Sequence, residues 1–239
     1  MATYIIVKVK NDLQAPKVAQ DIELDWNAPQ WKDISIITID NFLAESSEHR
    51  PVTQLKLQYS EDGIFGLFNA QDNYVLCQQS QFQDMVCKDS CVEMFIQPTP
   101  DSIPAGQPHA TYMNLEVSGN GTKLCYSIND ATRTEDGFVD FSKLTNDDGL
   151  KIITRSTLPE GVFPEITKPT TWQLGFYLPF SLIEKYTGLT ANVVLSGSTW
   201  RMNAFKCSED SSHPHWASWK KCSAFNFHQP DDFGFLIFE

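Results

Sequence analysis

Basic residues are scarce in this chain. Lys and Arg total 18 against 30 Asp and Glu over 239 residues, which gives a formal net charge of -12. An acidic protein gains nothing from a phosphate backbone or an anionic lipid surface, so neither nucleic acid nor a membrane is expected as a partner. Long hydrophobic runs are also missing, because no segment approaches the roughly 20 apolar residues of a transmembrane helix.

A secretory leader is not visible at the N-terminus. Only the apolar run from Tyr4 to Val7 precedes Lys8, and this run is too short for the hydrophobic region of a signal peptide. The sequence is compatible with a cytoplasmic protein or with a secreted protein whose leader has been removed, so localisation stays open.

Cysteine pairs with metal-site spacing are absent. The chain has six cysteines but no C-x-x-C pair, which argues against a zinc ribbon. A chain of this size does not need disulfides for stability. We therefore predict mostly reduced, partly buried thiols.

Common enzyme signatures are missing too. The sequence has no G-x-S-x-G, no P-loop and no H-E-x-x-H. Asp89 and Glu93 are four residues apart, which on a strand is roughly 13 Å. Glycosidase carboxylates are about 5 to 9.5 Å apart. Glu93 and Glu116 on neighbouring strands would be closer, so a hydrolase that uses these two residues is kept as an alternative.

Short strands dominate what is present. Runs rich in β-branched and aromatic residues alternate with turn residues, including Glu61-Asp62-Gly63 and Ser118-Gly119-Asn120-Gly121. The predicted strands are Tyr4 to Val9, Ile34 to Ile39, Leu55 to Tyr59, Ile64 to Ala70, Val92 to Gln97, Tyr112 to Val117, Leu124 to Ile128, Ile152 to Thr154, Thr171 to Leu178, Thr199 to Cys207 and Gly234 to Phe238. This pattern predicts an all-β fold, an antiparallel β-sandwich with jelly-roll or immunoglobulin-like layers, in which residues 1–239 form one domain.

Helical and loop signals are few. Ser181 to Glu184 has the spacing of a capping box, and Gly188 could end that short helix. A further helical turn is predicted between Leu13 and Leu24. Loops are predicted at Pro98 to Pro108, Arg133 to Gly149 and Pro159 to Pro169.

Three predicted strands carry polar residues on one face. In a strand, alternate side chains point to opposite faces, so Val92, Met94 and Ile96 can enter a core while Glu93 points the other way. The same alternation places polar side chains in mid-strand elsewhere, and the full set is Glu93, Tyr112, Asn114, Glu116, Arg201 and Asn203. These groups could form one binding surface. A solvent-facing sheet side or an internal salt-bridge network is the alternative.

Such a surface suits a sugar. Planar amide, carboxylate and guanidinium groups pair with neighbouring hydroxyls, and aromatic rings cover the apolar C–H faces of the ring. Trp216, Phe227 and Tyr112 are the candidate stacking residues.

The segment from His213 to Trp219 allows two interpretations. Two His around Pro214 could ligate a metal, although no third ligand has recognisable spacing. The other interpretation is a rigid aromatic loop, with Trp219 packed in the core and Trp216 available to a ligand. A carboxylate rim of Asp72 with Asp84 or Asp89 could hold Ca²⁺, and ordinary solvated acids are the alternative.

Together these segments resemble the family 9 carbohydrate-binding modules, including bacterial free-standing members. The resemblance rests on Asp72, on Asp89 to Phe95, on the strand from Tyr112 to Glu116, and on Trp172 to Ser181. Trp200 to Asn203, Ser218-Trp219, the His213 and His228 loops and the closing Phe233-Gly234 complete it. The resemblance implies a β-sandwich that binds sugars without a catalytic role, and family members also bind Ca²⁺.

The sequence departs from the family at the sugar clamp. Two Trp side chains hold a terminal sugar ring in xylanase-borne members, whereas Cys87 and either Phe227 or His228 stand at those places here. Gly175 stands where related sequences often carry Glu.

We therefore predict a non-catalytic carbohydrate-binding protein that needs no cofactor. Hydroxyls would be hydrogen-bonded by Glu93, Asn114, Glu116, Arg201 and Asn203. A glycan-processing hydrolase and a protein-interaction sandwich that has lost sugar binding are the alternatives.

Overall fold

The computed structural model describes residues 2–9, 16–98, 111–188 and 197–239. Strands make up most of its regular structure. They are β1 (Thr3–Lys8), β2 (Ile37–Ile39), β3 (Asn41–Phe42), β4 (Val52–Tyr59), β5 (Gly63–Asp72), β6 (Val75–Cys77), β7 (Cys91–Gln97), β8 (Tyr112–Ser118), β9 (Lys123–Thr134), β10 (Gly137–Lys143), β11 (Ile153–Ser156), β12 (Val162–Ile166), β13 (Thr170–Pro179), β14 (Thr199–Ser208), β15 (His215–Ser218) and β16 (Gly234–Phe238). The α-helices are α1 (Pro29–Lys32), α2 (Asn146–Gly149) and α3 (Phe180–Thr187).

The strands form two layers that share β1. One layer has the order β10-β9-β8-β7-β14-β16-β1, and the other has the order β1-β4-β5-β13-β11. This architecture confirms the predicted β-sandwich. Most neighbouring strands pair antiparallel as predicted, and β1 differs because it pairs in parallel with both β16 and β4. A strand that joins two layers has to meet a partner from each.

The main core lies between the two layers. It contains the predicted apolar faces of β7, β8 and β14, including Val92, Met94, Leu115 and Met202. A smaller core, which we call the outer cluster, covers the opposite face of these strands. Its fully buried members are Val86, Cys91, Phe95, Ile128, Phe205, Cys207 and Phe233, with Tyr112, Leu124, Tyr126, Phe138 and Cys222 nearly so. The outer face is therefore not a simple solvated side of the sheet.

Part of the predicted loop at Arg133 to Gly149 is regular structure. Strand β9 continues to Thr134, a turn follows, and β10 returns antiparallel to it. Gly137 has φ +131°, a conformation that glycine adopts without the strain of a side chain. The pairing shifts register on both sides of Asp140. Phe138 and Phe141, which are three residues apart, therefore both pack in the outer cluster and break the two-residue period of a strand.

Other boundaries also differ from the prediction. Strand β12 lies inside the predicted loop at Pro159 to Pro169 and pairs with β6. Helix α3 begins at Phe180 with Pro179 as its N-cap, so Ser181 is not a capping residue, whereas Gly188 ends the helix as expected, with φ +73°. The predicted strand at Ile34 to Ile39 is shorter, because only β2 is extended.

Near the N-terminus, a 3₁₀ turn spans Ala19–Asp21, and residues 13–15 of the helix predicted there lie outside the described residues. Residues 99–108 of the first predicted loop also lie outside them.

All six cysteines are free thiols, as expected. In the described part of the chain, no helix combines the length and apolarity needed to cross a bilayer.

Candidate functional site

A pocket of about 200 Å³ opens on the outer face of β7, β8 and β9. We call it the Glu93 pocket. It is lined by Leu43, Met85, Cys87, Glu93, Asn114, Glu116, Leu124, Tyr126, Arg133, Phe138, Cys207, Glu209, Trp216, Phe225, Asn226, Phe227 and His228. Five of the eight predicted site residues are among them, namely Glu93, Asn114, Glu116, Trp216 and Phe227.

The base of the pocket is polar and buried. Glu93 and Glu116 lie directly opposite each other on β7 and β8, and their exposed fractions are 2% and 7%. Asn114 Nδ2 donates to Glu116 Oε1 at 2.7 Å, and Asn114 Oδ1 accepts the backbone N–H of Tyr126 at 2.7 Å. Cys207 Sγ donates to Glu93 Oε1 at 3.1 Å. Glu93 Oε2 is buried and has no hydrogen-bond partner among the described residues.

The two carboxyl groups resist ionisation. Burial raises the pKa of Glu116 to about 7, although the hydrogen bond from Asn114 and the charge of Arg133 act in the opposite direction. Burial, and then the neighbouring Glu116 charge, raise the pKa of Glu93 well above its usual range. A protonated carboxyl both donates and accepts hydrogen bonds, which is the pattern that a hydroxyl also offers.

Aromatic side chains border the mouth of the pocket. Trp216 and Phe225 meet edge to face, with ring centroids 4.9 Å apart, and Phe225 is 53% exposed. Phe227 is partly exposed and stacks on Phe205 at 4.2 Å. Exposed rings above a buried polar base form an amphipathic hollow. Trp216, which the sequence left open, lines the pocket, while Trp219 packs against the main core as expected.

Sequence reasoning missed Arg133 and Phe138 as pocket residues, whereas it named His228 as one of two residues at the second clamp place. The Arg133 guanidinium lies 4.3 Å from the centre of the Phe138 ring. Both residues fell in a segment predicted as a loop. The Phe138 and Phe141 pair was the available signal for a strand there, but its three-residue spacing concealed it. Burial lowers the pKa of His228 to about 3, so this ring is neutral where it lines the pocket.

Arg201 and Asn203 do not reach the Glu93 pocket, which corrects the expectation of one shared surface. Arg201 Nη2 donates to the carbonyls of Asp231 and Phe233. Asn203 is fully buried, and its side chain bonds the backbone of Lys220 in both directions. Strand geometry explains the separation, because Arg201 and Cys207 are six residue steps apart, which is roughly 20 Å along a strand.

Tyr112 also lies outside the pocket lining and is only 2% exposed. Its hydroxyl lies 2.9 Å from His228 Nδ1, and its ring packs edge to face on Phe233 at 5.7 Å. Tyr112 therefore supports a pocket residue from behind, and the structure does not place it where it could stack on a ligand.

The His-Pro-His segment belongs to a different buried group. His215 Nδ1 donates to the His213 carbonyl at 2.9 Å, so its Nε2 accepts from Lys206 Nζ at 2.8 Å. Burial, and then the charge of Lys206, lower the pKa of His215 to about 3. The ring is therefore a neutral acceptor. Neither His belongs to a group of three possible metal ligands in the described part of the chain.

Lys206 also pairs with Asp72, and both side chains are fully buried. Lys206 Nζ lies 3.3 Å from Asp72 Oδ2, and His49 Nε2 lies 2.7 Å from Asp72 Oδ1. Lys206 and the hydrogen bond from His49 overcome the effect of burial and hold the pKa of Asp72 well below its usual range. We call Asp72, Lys206, His215 and His49 the Asp72 network.

The carboxylates of the suggested calcium rim are each engaged by protein groups. Asp72 belongs to the Asp72 network, and Asp84 accepts the backbone N–H groups of Ser80 and Gln81. Asp89 accepts two backbone N–H groups and the hydroxyl of Ser118. The structure gives these acids local structural roles.

The chain belongs to Carbohydrate-binding family 9, whose model matches residues 23–238. This match confirms the class that the sequence indicated, a carbohydrate-binding domain. A search of curated proteins found no significant match.

Solved structures share the fold. A protein from Bacteroides uniformis ATCC 8492, provisionally assigned to carbohydrate binding, is 21% identical with a TM-score of 0.78, and 99% of each chain is covered. Two structures of a family 9 module from Caldicellulosiruptor kristjanssonii are each 12% identical over the whole of this chain. The complex with glucose has a TM-score of 0.57, with 96% of the module's chain covered. The complex with cellotriose has a TM-score of 0.59, with 94% of the module's chain covered.

Proposed function

We propose that this protein binds a carbohydrate without catalysis and holds a sugar ring in the Glu93 pocket. The observation that carries the proposal is the unpartnered, buried oxygen of Glu93 beneath a mouth of aromatic side chains. An unsatisfied buried acceptor costs about 1–3 kcal/mol, which a ligand hydroxyl would offset. Glu93 and Glu116 would bond hydroxyls, and Asn114 would hold Glu116 in place.

Trp216 and Phe227 would stack on the sugar ring in this protein. Family members clamp a ring with two Trp side chains, and Cys87 stands at one of those places in this chain. Trp216 and Phe227 both border the pocket and are partly exposed, so they could cover the apolar face of a ring.

The size of the pocket favours a small ligand. Its volume of about 200 Å³ lies below the range of about 300–1,000 Å³ for drug-sized ligand sites. One sugar ring, or the end of a chain, suits such a hollow better than the interior of a polysaccharide. Glucose and cellotriose are the first ligands to test, because they are bound by a family member of the same fold.

Hydrolysis is the weaker alternative. Glu93 and Glu116 face each other across two strands, but both are buried and resist ionisation, so neither is a ready nucleophile or base. We expect no glucose release when cellotriose is incubated with the protein. The polar base also argues against a protein-interaction surface, which would be flatter and apolar.

Calorimetric titration with glucose, cellotriose and a panel of other sugars tests the proposal. We expect binding of at least one sugar by the wild type and its loss in Glu93→Ala. Phe163→Ala is the control, because Phe163 is 76% exposed and does not line the pocket. Absence of binding across the panel, or equal binding by Glu93→Ala, would refute a sugar site here.

A further inference from the structure

Two cysteines and a glutamate meet at the back of the Glu93 pocket. Cys91 on β7 lies directly opposite Cys207 on β14, and Glu93 follows Cys91 by two residues, on the same face of its strand. Their exposed fractions are 0%, 1% and 2%. One possible ligand atom from each residue lies within 4.8 Å of the other two. In the described ranges, 2–9, 16–98, 111–188 and 197–239, this is the one such group of three.

The protein itself leaves this group incompletely satisfied. Among the described residues, the Glu93 side chain accepts a hydrogen bond only from the Cys207 thiol, at 3.1 Å, and thiols are weak donors. Its second oxygen has no partner in the described part of the chain, and Cys207 and Glu93 both line the pocket. A buried carboxyl with so little compensation is unfavourable unless something else binds it.

We propose that Cys91, Glu93 and Cys207 bind a thiophilic divalent metal ion of the zinc class, with a fourth position open to the pocket. Two sulfurs and one carboxylate oxygen are ligands that Zn²⁺ accepts, and three protein ligands with an open fourth place are a recognised arrangement. Hard ions such as Ca²⁺ and Mg²⁺ prefer sites made of oxygens alone, so the two sulfurs disfavour them.

The distances allow such binding with small movements. Two ligands bonded tetrahedrally to one zinc ion at about 2.0–2.3 Å are roughly 3.3–3.8 Å apart. The three atoms lie within 4.8 Å of one another, so each pair needs to approach by no more than about 1.5 Å. On binding, the two thiol protons and any proton on Glu93 pass to solvent, and metal–sulfur bonds replace the contact between Cys207 and Glu93.

Cobalt titration of the reduced, full-length protein without sugar tests the site, because Co²⁺ bound to thiolates gives an intense charge-transfer absorption. We expect one Co²⁺ per chain, displaced by Zn²⁺. Cys207→Ser and Glu93→Gln should each weaken binding at least about tenfold. Cys222→Ser is the matched control, because Cys222 is 5% exposed in the same outer cluster but is outside the group of three.

Three results would overturn the metal site. They are no charge-transfer band at stoichiometric Co²⁺, an unchanged band in Cys207→Ser, and an equal loss of binding in Cys222→Ser. Should Cys207→Ser fail to fold, Glu93→Gln decides, since it keeps the shape of the side chain. The experiment contains no sugar, so its outcome is independent of the proposed carbohydrate binding.

Discussion

The molecule buries carboxylates in two places and treats them in opposite ways. In the Asp72 network, Lys206 and His49 surround Asp72 and lower its pKa. In the Glu93 pocket, burial raises the pKa of both Glu93 and Glu116, which lie opposite each other on neighbouring strands. A buried carboxylate that the protein pairs with cations can stabilise the fold. A buried carboxyl without such partners, beside a pocket, is available to bind a ligand.

Position in the fold agrees with this difference. Asp72 ends β5 in one layer and Lys206 belongs to β14 in the other, so their ion pair connects the two layers of the sandwich. Glu93 and Glu116 belong to neighbouring strands of one layer and add no such connection. Removing charge should therefore affect stability at one site and ligand binding at the other.

Loss of Lys206 should give the largest effect. Lys206→Met keeps the aliphatic stem but removes the cation beside the buried Asp72. Asp72 then keeps His49, the backbone N–H of Asn73 at 2.8 Å and the long contact from Trp172 Nε1 at 3.4 Å. Removing one partner of a buried ion pair typically costs 3–5 kcal/mol, so the free energy of unfolding should fall by about that amount. Urea denaturation measures it. A loss below about 1 kcal/mol would contradict a structural role, and Asp72→Asn added to Lys206→Met should recover part of the stability.

Glu93→Gln should separate binding from stability. Replacing the carboxyl by an amide leaves one hydrogen-bonding group of the buried contact without a matching partner, which costs about 1–3 kcal/mol, so sugar affinity should fall roughly 5- to 150-fold. The free energy of unfolding should stay the same or rise, because the change removes a buried group that resists ionisation. Calorimetry and urea denaturation give the two numbers. Glu61→Gln, at a side chain that is 84% exposed, serves as the surface control.

Acid should weaken the Asp72 network through His215. Its folded pKa of about 3 lies below the unfolded value of about 6.5, so the unfolded chain binds the proton first. The stabilisation is complete above pH 6.5 and is lost towards pH 3, at about 1.4 kcal/mol per pH unit. The groups that face His215 are Lys206, Asp72 and His49.

The comparison variant for this acid effect is His215→Gln. Urea denaturation between pH 7 and pH 5 should show a smaller dependence on pH for the variant than for the wild type. Equal slopes for the two proteins would mean that His215 is not held neutral. The depressed pKa of Asp72 adds stability that is present above about pH 3.9 and is lost only in stronger acid.

Trp216→Ala should have the smallest effect. Aromatic contacts add about 0.5–1.5 kcal/mol beyond the area they bury, so sugar affinity should fall by a few-fold to about tenfold. Trp219→Ala would be a poor control because Trp219 packs on the main core, whereas Phe163→Ala removes a ring from an exposed site. Unchanged affinity in Trp216→Ala would remove this residue from the binding surface.

Much of the sandwich was predictable because runs rich in β-branched and aromatic residues alternate with turn residues along the chain. The apolar faces of β7, β8 and β14 enter the main core as their patterns indicated. Strand β10 was not predicted, because Phe138 and Phe141 are three residues apart and both pack in the outer cluster only through the register shifts around Asp140. The parallel pairing of β1 depends on contacts with β4 and β16, which are distant in sequence.

The site was predictable only in part. Alternation assigned Glu93, Glu116 and Arg201 to one sheet face, but it says nothing about which part of that face lies open. The C-terminal segment covers the Arg201 end, where Asp231 and Phe233 accept its hydrogen bonds. The loop that carries Phe225 and Phe227 borders the Glu93 end instead. Loop paths of this kind depend on tertiary packing that a single sequence does not reveal.

A crystal structure of the protein with cellotriose would show where the sugar binds. We expect a terminal ring in the Glu93 pocket, with hydroxyls within hydrogen-bonding distance of Glu93 and Glu116 and its apolar face against Trp216 or Phe227. A ring bound elsewhere on the molecule, with the Glu93 pocket empty, would contradict this expectation.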